Sequence, residues 1–94
     1  MKAKLLFRQR QQLADFLFWE IVVWQVPNPI EPSRHDYKYS LVLIDRGTRV
    51  IGFDNERGKG DHLHRKDQEF PYNFVTVDQL IGDFFGEVDQ WTAN

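Results

Sequence analysis

The chain has 94 residues, enough for one domain over 1–94 with one modest core and too few for two. Hydrophobic residues at 41% and aromatics at 15% exceed what a disordered chain carries, and 28% charge marks a soluble one. The absence of cysteine excludes a disulfide framework, a thiolate zinc site and a cysteine nucleophile, and fits a reducing, cytoplasmic setting.

From the N-terminus, Ala3 to Arg8 reads as a short strand, followed by a polar break at Gln9 to Gln12. Its apolar run, Leu5 to Phe7, is too short for a secretory signal, and no 18-residue apolar stretch could span a bilayer, so no membrane partner is expected. Phe16 to Val26, FLFWEIVVWQV, is dense in β-branched and aromatic residues and predicts a central strand buried on much of both faces. Trp19 and Trp24 have opposite parity there, which leaves one of them outside the main core as a candidate protein interface. Pro27, Pro29 and Pro32 end the strand. Tyr37 to Ile44 and Thr48 to Phe53 form the arms of a hairpin around Asp45-Arg46-Gly47.

The stretch DNERGKGDHLHR, Asp54 to Arg65, then reads as a functional loop at a sheet end. Gly58 and Gly60 flank Lys59, an arrangement in which backbone amides can converge on an anion. A Walker A loop is absent, because Phe53 stands where its first glycine belongs and Gly60 where its hydroxyl belongs. His62 and His64 are two apart, which in an extended segment places both imidazoles on one face.

That placement suits two chemistries. One is a metal site with Asp54, Glu56 or Asp61 as third ligand. The other is metal-free phosphodiester cleavage, with one group taking the proton of a ribose 2′-hydroxyl, another protonating the leaving oxygen and a cation offsetting the added charge. Eight bases between Arg34 and Lys66 favour the second, with no cofactor. The assigned catalytic set is His62, His64, Lys59, Arg57, Glu56 and Asp54. The plain alternative is a solvated turn with local salt bridges, since surface histidines are rarely catalytic. A second cluster, SRHDYKY, offers Arg34, His35, Lys38 and Tyr37, with Arg65 and Lys66, as a nucleic-acid-binding set. Strand tyrosines such as Tyr37 and Tyr39 are more often core with a polar tip.

The C-terminal segment is a helix. Thr76 and Gln79 make a capping box, Val75 and Leu80 occupy staple positions, and Val77, Leu80, Ile81, Phe84, Phe85, Val88 and Trp91 form one apolar stripe. Gly82 and Gly86 suggest close packing. Residues 1–66 hold twelve bases and eight acids, net +4, whereas 67–94 hold six acids and no base, net -6. Asp83 and Glu87 are thereby candidates for contacting a cationic partner. The expected fold is α+β, a small antiparallel sheet of about four to five strands with the amphipathic helix packed on one face.

SRHDYKYSL, IGFDNERGKGDHLH and PYNFVTVDQLIGDFFGEV, in this order and spacing, resemble the TumE family of small bacterial toxins, from about Lys4 to Val88. The resemblance implies a toxin held inactive by a helix-turn-helix antitoxin, and RNA as a target. It carries over Asp54 to His62 with His64 as the motif, and Arg34, His35, Tyr37, Lys38 and Tyr39 beside it. A ribonuclease toxin is the leading expectation. A non-catalytic nucleic-acid or protein interaction module is the alternative, a metal-dependent nuclease ranks third, and a homodimer is a candidate assembly.

Overall fold

The computed structural model describes residues 2–93. Six strands, β1 (Lys4–Ala14), β2 (Leu17–Gln25), β3 (Tyr37–Asp45), β4 (Thr48–Glu56), β5 (Gly60–Arg65) and β6 (Gln68–Pro71), pair in sequence order as one antiparallel meander, and α1 (Val77–Thr92) follows. The α+β architecture is as expected, with more strands than the four to five predicted. One extra strand comes from the stretch read as a loop, where Asp54 to Glu56 finishes β4, Arg57 to Lys59 turns and Gly60 to Arg65 returns as β5, and another, β6, follows it.

The first strand also departs from expectation. It runs through Gln9 to Gln12 to Ala14, with nearly every side chain exposed. Apolar periodicity reports burial, and an edge strand held by its backbone ladder to β2 needs little of it.

Trp19, Ile21 and Val23 on β2, Tyr39, Leu41 and Leu43 on β3, and Ile51 and Phe53 on β4 share one face and are buried. Leu80, Phe84 and Val88 of α1 close over them. Phe84 meets Phe53 edge-on at 6.1 Å, and Phe85 meets Trp19 edge-on at 5.2 Å. Each such side chain taken from water contributes about 1.5–3 kcal/mol.

At the helix start, Thr76 Oγ1 accepts from the Gln79 amide at 3.0 Å, the predicted cap. The Gln79 side chain donates instead to Asp83 at 2.8 Å, and Val75 stays exposed, so the box is one-sided and the staple position faces solvent. Gly82 and Gly86 have open space where a Cβ would stand, so close packing does not explain them.

The helix covers one face only. Phe18, Val22 and Trp24 on β2 and Val42 and Ile44 on β3 point to the other and are half-buried, so β2 is not buried on both sides as predicted. Trp24 is the tryptophan outside the core and Trp19 the one within.

Candidate functional site

The segment β4–turn–β5 divides its side chains between the two faces of the sheet. Asp54 pairs with His62 and Gly52 with His64, which places Asp54, His62 and His64 together on the uncovered face. Asn55 and Asp61, one residue away, point beneath the helix side.

On the uncovered face, His64 Nε2 lies 3.3 Å from Asp54 Oδ1, and Arg49 approaches the other Asp54 oxygen at 3.8 Å. A carboxylate only accepts, so the bond places a proton on His64 Nε2 and leaves Nδ1 outside this contact. Arg49 reaches Asp54 across Gly52: a Cβ on that glycine would stand 2.9 Å from Arg49 Cδ. His62 sits 6.3 Å from His64, ring centre to ring centre. Its Nε2 donates to the Lys59 carbonyl at 2.8 Å. Its Nδ1 lies 2.9 Å from Glu69 Oε1 on β6, at ion-pair distance but without an aligned hydrogen bond. Acceptors thus lie near both nitrogens of His62.

The turn differs from the anion cradle expected of it. The Gly58 amide donates to the Glu31 carbonyl at 2.8 Å and the Lys59 amide to the Glu56 carbonyl at 3.1 Å, so both are spent within the chain. Gly58 and Gly60 do adopt positive φ, at 86° and 82°. Pro32 packs where a Cβ on Gly60 would come within 3.2 Å, so the proline-rich β2–β3 connection buttresses this turn. Arg57 and Lys59 are exposed at its tip, nearer His62 than His64, and Glu56 is exposed beside them at the end of β4.

On the helix side, Asp61 is nearly buried and accepts from Ser33 Oγ at 2.6 Å and His35 Nε2 at 3.0 Å. His35 Nδ1 accepts from the Tyr37 amide at 3.2 Å, and its ring stacks on Phe74 at 3.8 Å. The wholly buried Asn55 accepts from the Tyr39 amide at 3.0 Å and donates to the Tyr37 carbonyl at 2.7 Å. The Lys38 ammonium donates to the Asn55 carbonyl. The Tyr39 hydroxyl is buried without an aligned partner, and burial, aided by the Asp61 charge, pushes its pKa far above the usual phenol range. Burial does the same for Tyr72, reinforced by its 2.6 Å bond to Asp83.

The sequence-assigned residues therefore fall into separate places. His62, His64 and Asp54 come together on the uncovered face, whereas Asp61 lies on the other side of the sheet and cannot complete a metal set with the two histidines. Among the described residues, no group of three or more histidines and carboxylates is placed to hold a metal ion. His35 and Tyr37 belong to the aromatic stack under the helix side, and Arg34 lines a recess there with Ser33 and Asp61. Arg65 makes a two-point pair with Glu87 at 2.7 and 2.9 Å, which raises its pKa, and Lys66 lies 5.3 Å over Trp91. Glu87 and Asp83 are thus engaged within the chain, so the helix offers fewer free acids than its composition suggested.

Arg49 and Glu69 were missing from the sequence-derived set. Glu69 lies on an unpredicted strand. Gly52, set between Ile51 and Phe53 within β4, was the available signal that something crosses there.

A family model described as Toxin TumE matches residues 3–92. The chain belongs to the TumE toxin family. Membership gives it a toxin's role, and the uncovered face carries the motif segment's two histidines and Asp54. No curated protein and no solved structure matches the chain. Among the described residues, no helix is long and apolar enough to cross a membrane.

Proposed function

We propose that this TumE toxin acts in the cytoplasm on RNA as a metal-independent ribonuclease, restrained by a helix-turn-helix antitoxin. The observation that carries the reading is the pair of imidazoles 6.3 Å apart on the uncovered face, one of them aligned by a carboxylate. That spacing leaves room for a phosphate between the rings. His64 Nδ1, opposite the nitrogen held by Asp54, takes the proton from a ribose 2′-hydroxyl. The 2′-oxygen then bonds to phosphorus, and the bond from phosphorus to the 5′-oxygen breaks as that oxygen receives a proton from His62. Arg49, 3.8 Å from Asp54, offsets the charge that develops on the phosphoryl oxygens. Arg57 and Lys59, exposed at the adjacent turn, draw the strand in.

The engagement of both His62 nitrogens favours a second reading, a non-catalytic interaction module in which His62 only braces the hairpin. Incubation of antitoxin-free protein with defined RNA, with and without chelator, separates the two. Chelator-resistant cleavage that falls at least about 100-fold in His64→Ala, with the fold retained, is expected for the enzyme. RNA bound yet intact, with affinity falling steeply with salt, establishes the module instead.

A further inference from the structure

The uncovered face has a recess at its other end, about 550 Å³ in volume, lined by Arg10, Gln12, Phe16, Phe18, Arg46 and Gly47. The lining brings together two guanidiniums and two aromatic rings and includes no carboxylate; Glu20, opposite Arg10 in the β1–β2 register, and Asp15 and Asp45, next in the chain to Phe16 and Arg46, are the acids beside it. The Arg10 guanidinium lies 3.9 Å over the Phe18 ring.

Both turns that meet at this corner are two-residue hairpin connections, Asp15-Phe16 and Arg46-Gly47, and such turns require positive φ. Phe16 and Arg46 both adopt left-handed backbone, φ 65° and 51°, a conformation unfavourable for large side chains and ordinary for glycine. Phe16 is also 70% exposed, so its ring adds little to the core. The Arg46 amide donates to the Phe16 carbonyl at 2.8 Å, which ties the β1–β2 turn to the β3–β4 turn. The turns set that backbone, and what the core leaves unused is the exposed Phe16 ring beside two guanidiniums.

We infer that this corner is a nucleotide subsite for single-stranded RNA, in which the Phe16 ring stacks on a base and Arg46 and Arg10 hold neighbouring phosphates. Exposed aromatics interleaved with guanidiniums suit unpaired bases, whose faces are accessible as those within a duplex are not. The corner is continuous with the histidines: Phe18 is in register with Ile44, Ile44 with Arg49, and Arg49 reaches Asp54 beside His64. From Phe18 to His64 the path covers three strand spacings and about three residues of rise, roughly 15–20 Å. A strand bound at both ends crosses the face with several nucleotides, so the substrate is an unpaired stretch. The identity of the bound strand rests on the ribonuclease reading above.

The test measures binding of a short fluorescein-labelled single-stranded oligoribonucleotide of mixed sequence to the His64→Ala protein, which cannot cleave it. Phe16→Gly and Arg46→Asn both relax the backbone, so each holds or raises the thermal midpoint. Each is expected to weaken binding about tenfold, Arg46→Asn with a shallower salt dependence, and the same oligonucleotide annealed into a duplex binds less well to the unaltered corner. Unchanged single-strand affinity in both folded variants overturns the subsite. If Phe16-dependent binding is present but the unmodified toxin never cuts RNA, the subsite stands and the ribonuclease reading falls. If the toxin cuts RNA and both variants bind and cut as before, the ribonuclease stands and the subsite falls.

Discussion

The two faces of the sheet use the same residue types to opposite ends. On the helix side, Ser33, His35, Asn55 and Asp61 spend their polar atoms on one another and on backbone groups, and His35 is locked against Phe74. On the uncovered face, His64 and Asp54 make one long contact through Nε2, and the Nδ1 of His64 takes no part in it. A histidine–carboxylate pair alone therefore distinguishes nothing. What matters is whether the second ring nitrogen is already committed: that of His35 holds a strand amide in place.

The sharpest way to break this contrast is to remove its buried member. Asn55→Ala strands the Tyr39 amide and the Tyr37 carbonyl together, which costs about 3–4 kcal/mol, and a thermal midpoint lower by roughly 15 °C or more is expected in a melt. His64→Ala is expected to leave the midpoint within a few degrees while removing growth inhibition. A variant that melts as early as Asn55→Ala would assign His64 to the scaffold and erase the distinction.

A smaller effect comes from the Tyr39 hydroxyl, buried without an aligned partner. Tyr39→Phe removes that polar atom without opening a large cavity, and a gain of up to about 1 kcal/mol is expected at neutral pH. Because the folded protein raises the phenol pKa above its unfolded value, the phenol's contribution is full below about pH 10 and is lost as pH climbs toward the folded value. Denaturant melts across that alkaline range should therefore fall less steeply with pH in the phenylalanine variant. The same slope in both proteins would place the titration elsewhere.

Gly52→Ala sharpens the other side of the comparison. The new methyl displaces the Arg49 side chain, and cleavage is expected to fall several-fold with little change in melting; equal activity would remove Arg49 from the reaction. The smallest effects are in α1, where Gly82→Ala and Gly86→Ala enter open space and each should add about 0.5–1 kcal/mol. A loss at either would reveal a required contact on that helix surface.

The sequence made some of this visible and concealed the rest for identifiable reasons. Helix α1 was legible because its cap and stripe are local: Thr76 caps Gln79 as its spacing demands, and Leu80, Phe84 and Val88 are the buried residues. The shared face of His62 and His64 followed from parity alone. Strands β5 and β6 escaped notice because polar residues stand on both of their faces and give no apolar alternation. Arg49 escaped because its approach to Asp54 depends on an irregularity in the β3–β4 register between Leu43 and Ile44, which no spacing rule reveals. The occupied amides of Gly58 and Lys59 were equally hidden, since their acceptors depend on how the turn and the β2–β3 connection fold.

Every strand pairs with its neighbour in the chain, and this order has a consequence for synthesis. A meander can zip hairpin by hairpin as the polypeptide emerges, with low contact order and no early strand waiting for a late one. The helix that shields Ile21, Leu41 and Phe53 follows all six strands in the chain, so those side chains lack their cover until it arrives. At ordinary elongation rates its 16 residues take roughly one to three seconds. During that interval the nascent sheet is sticky on one side, a window in which a chaperone or a neighbouring polypeptide competes with the helix.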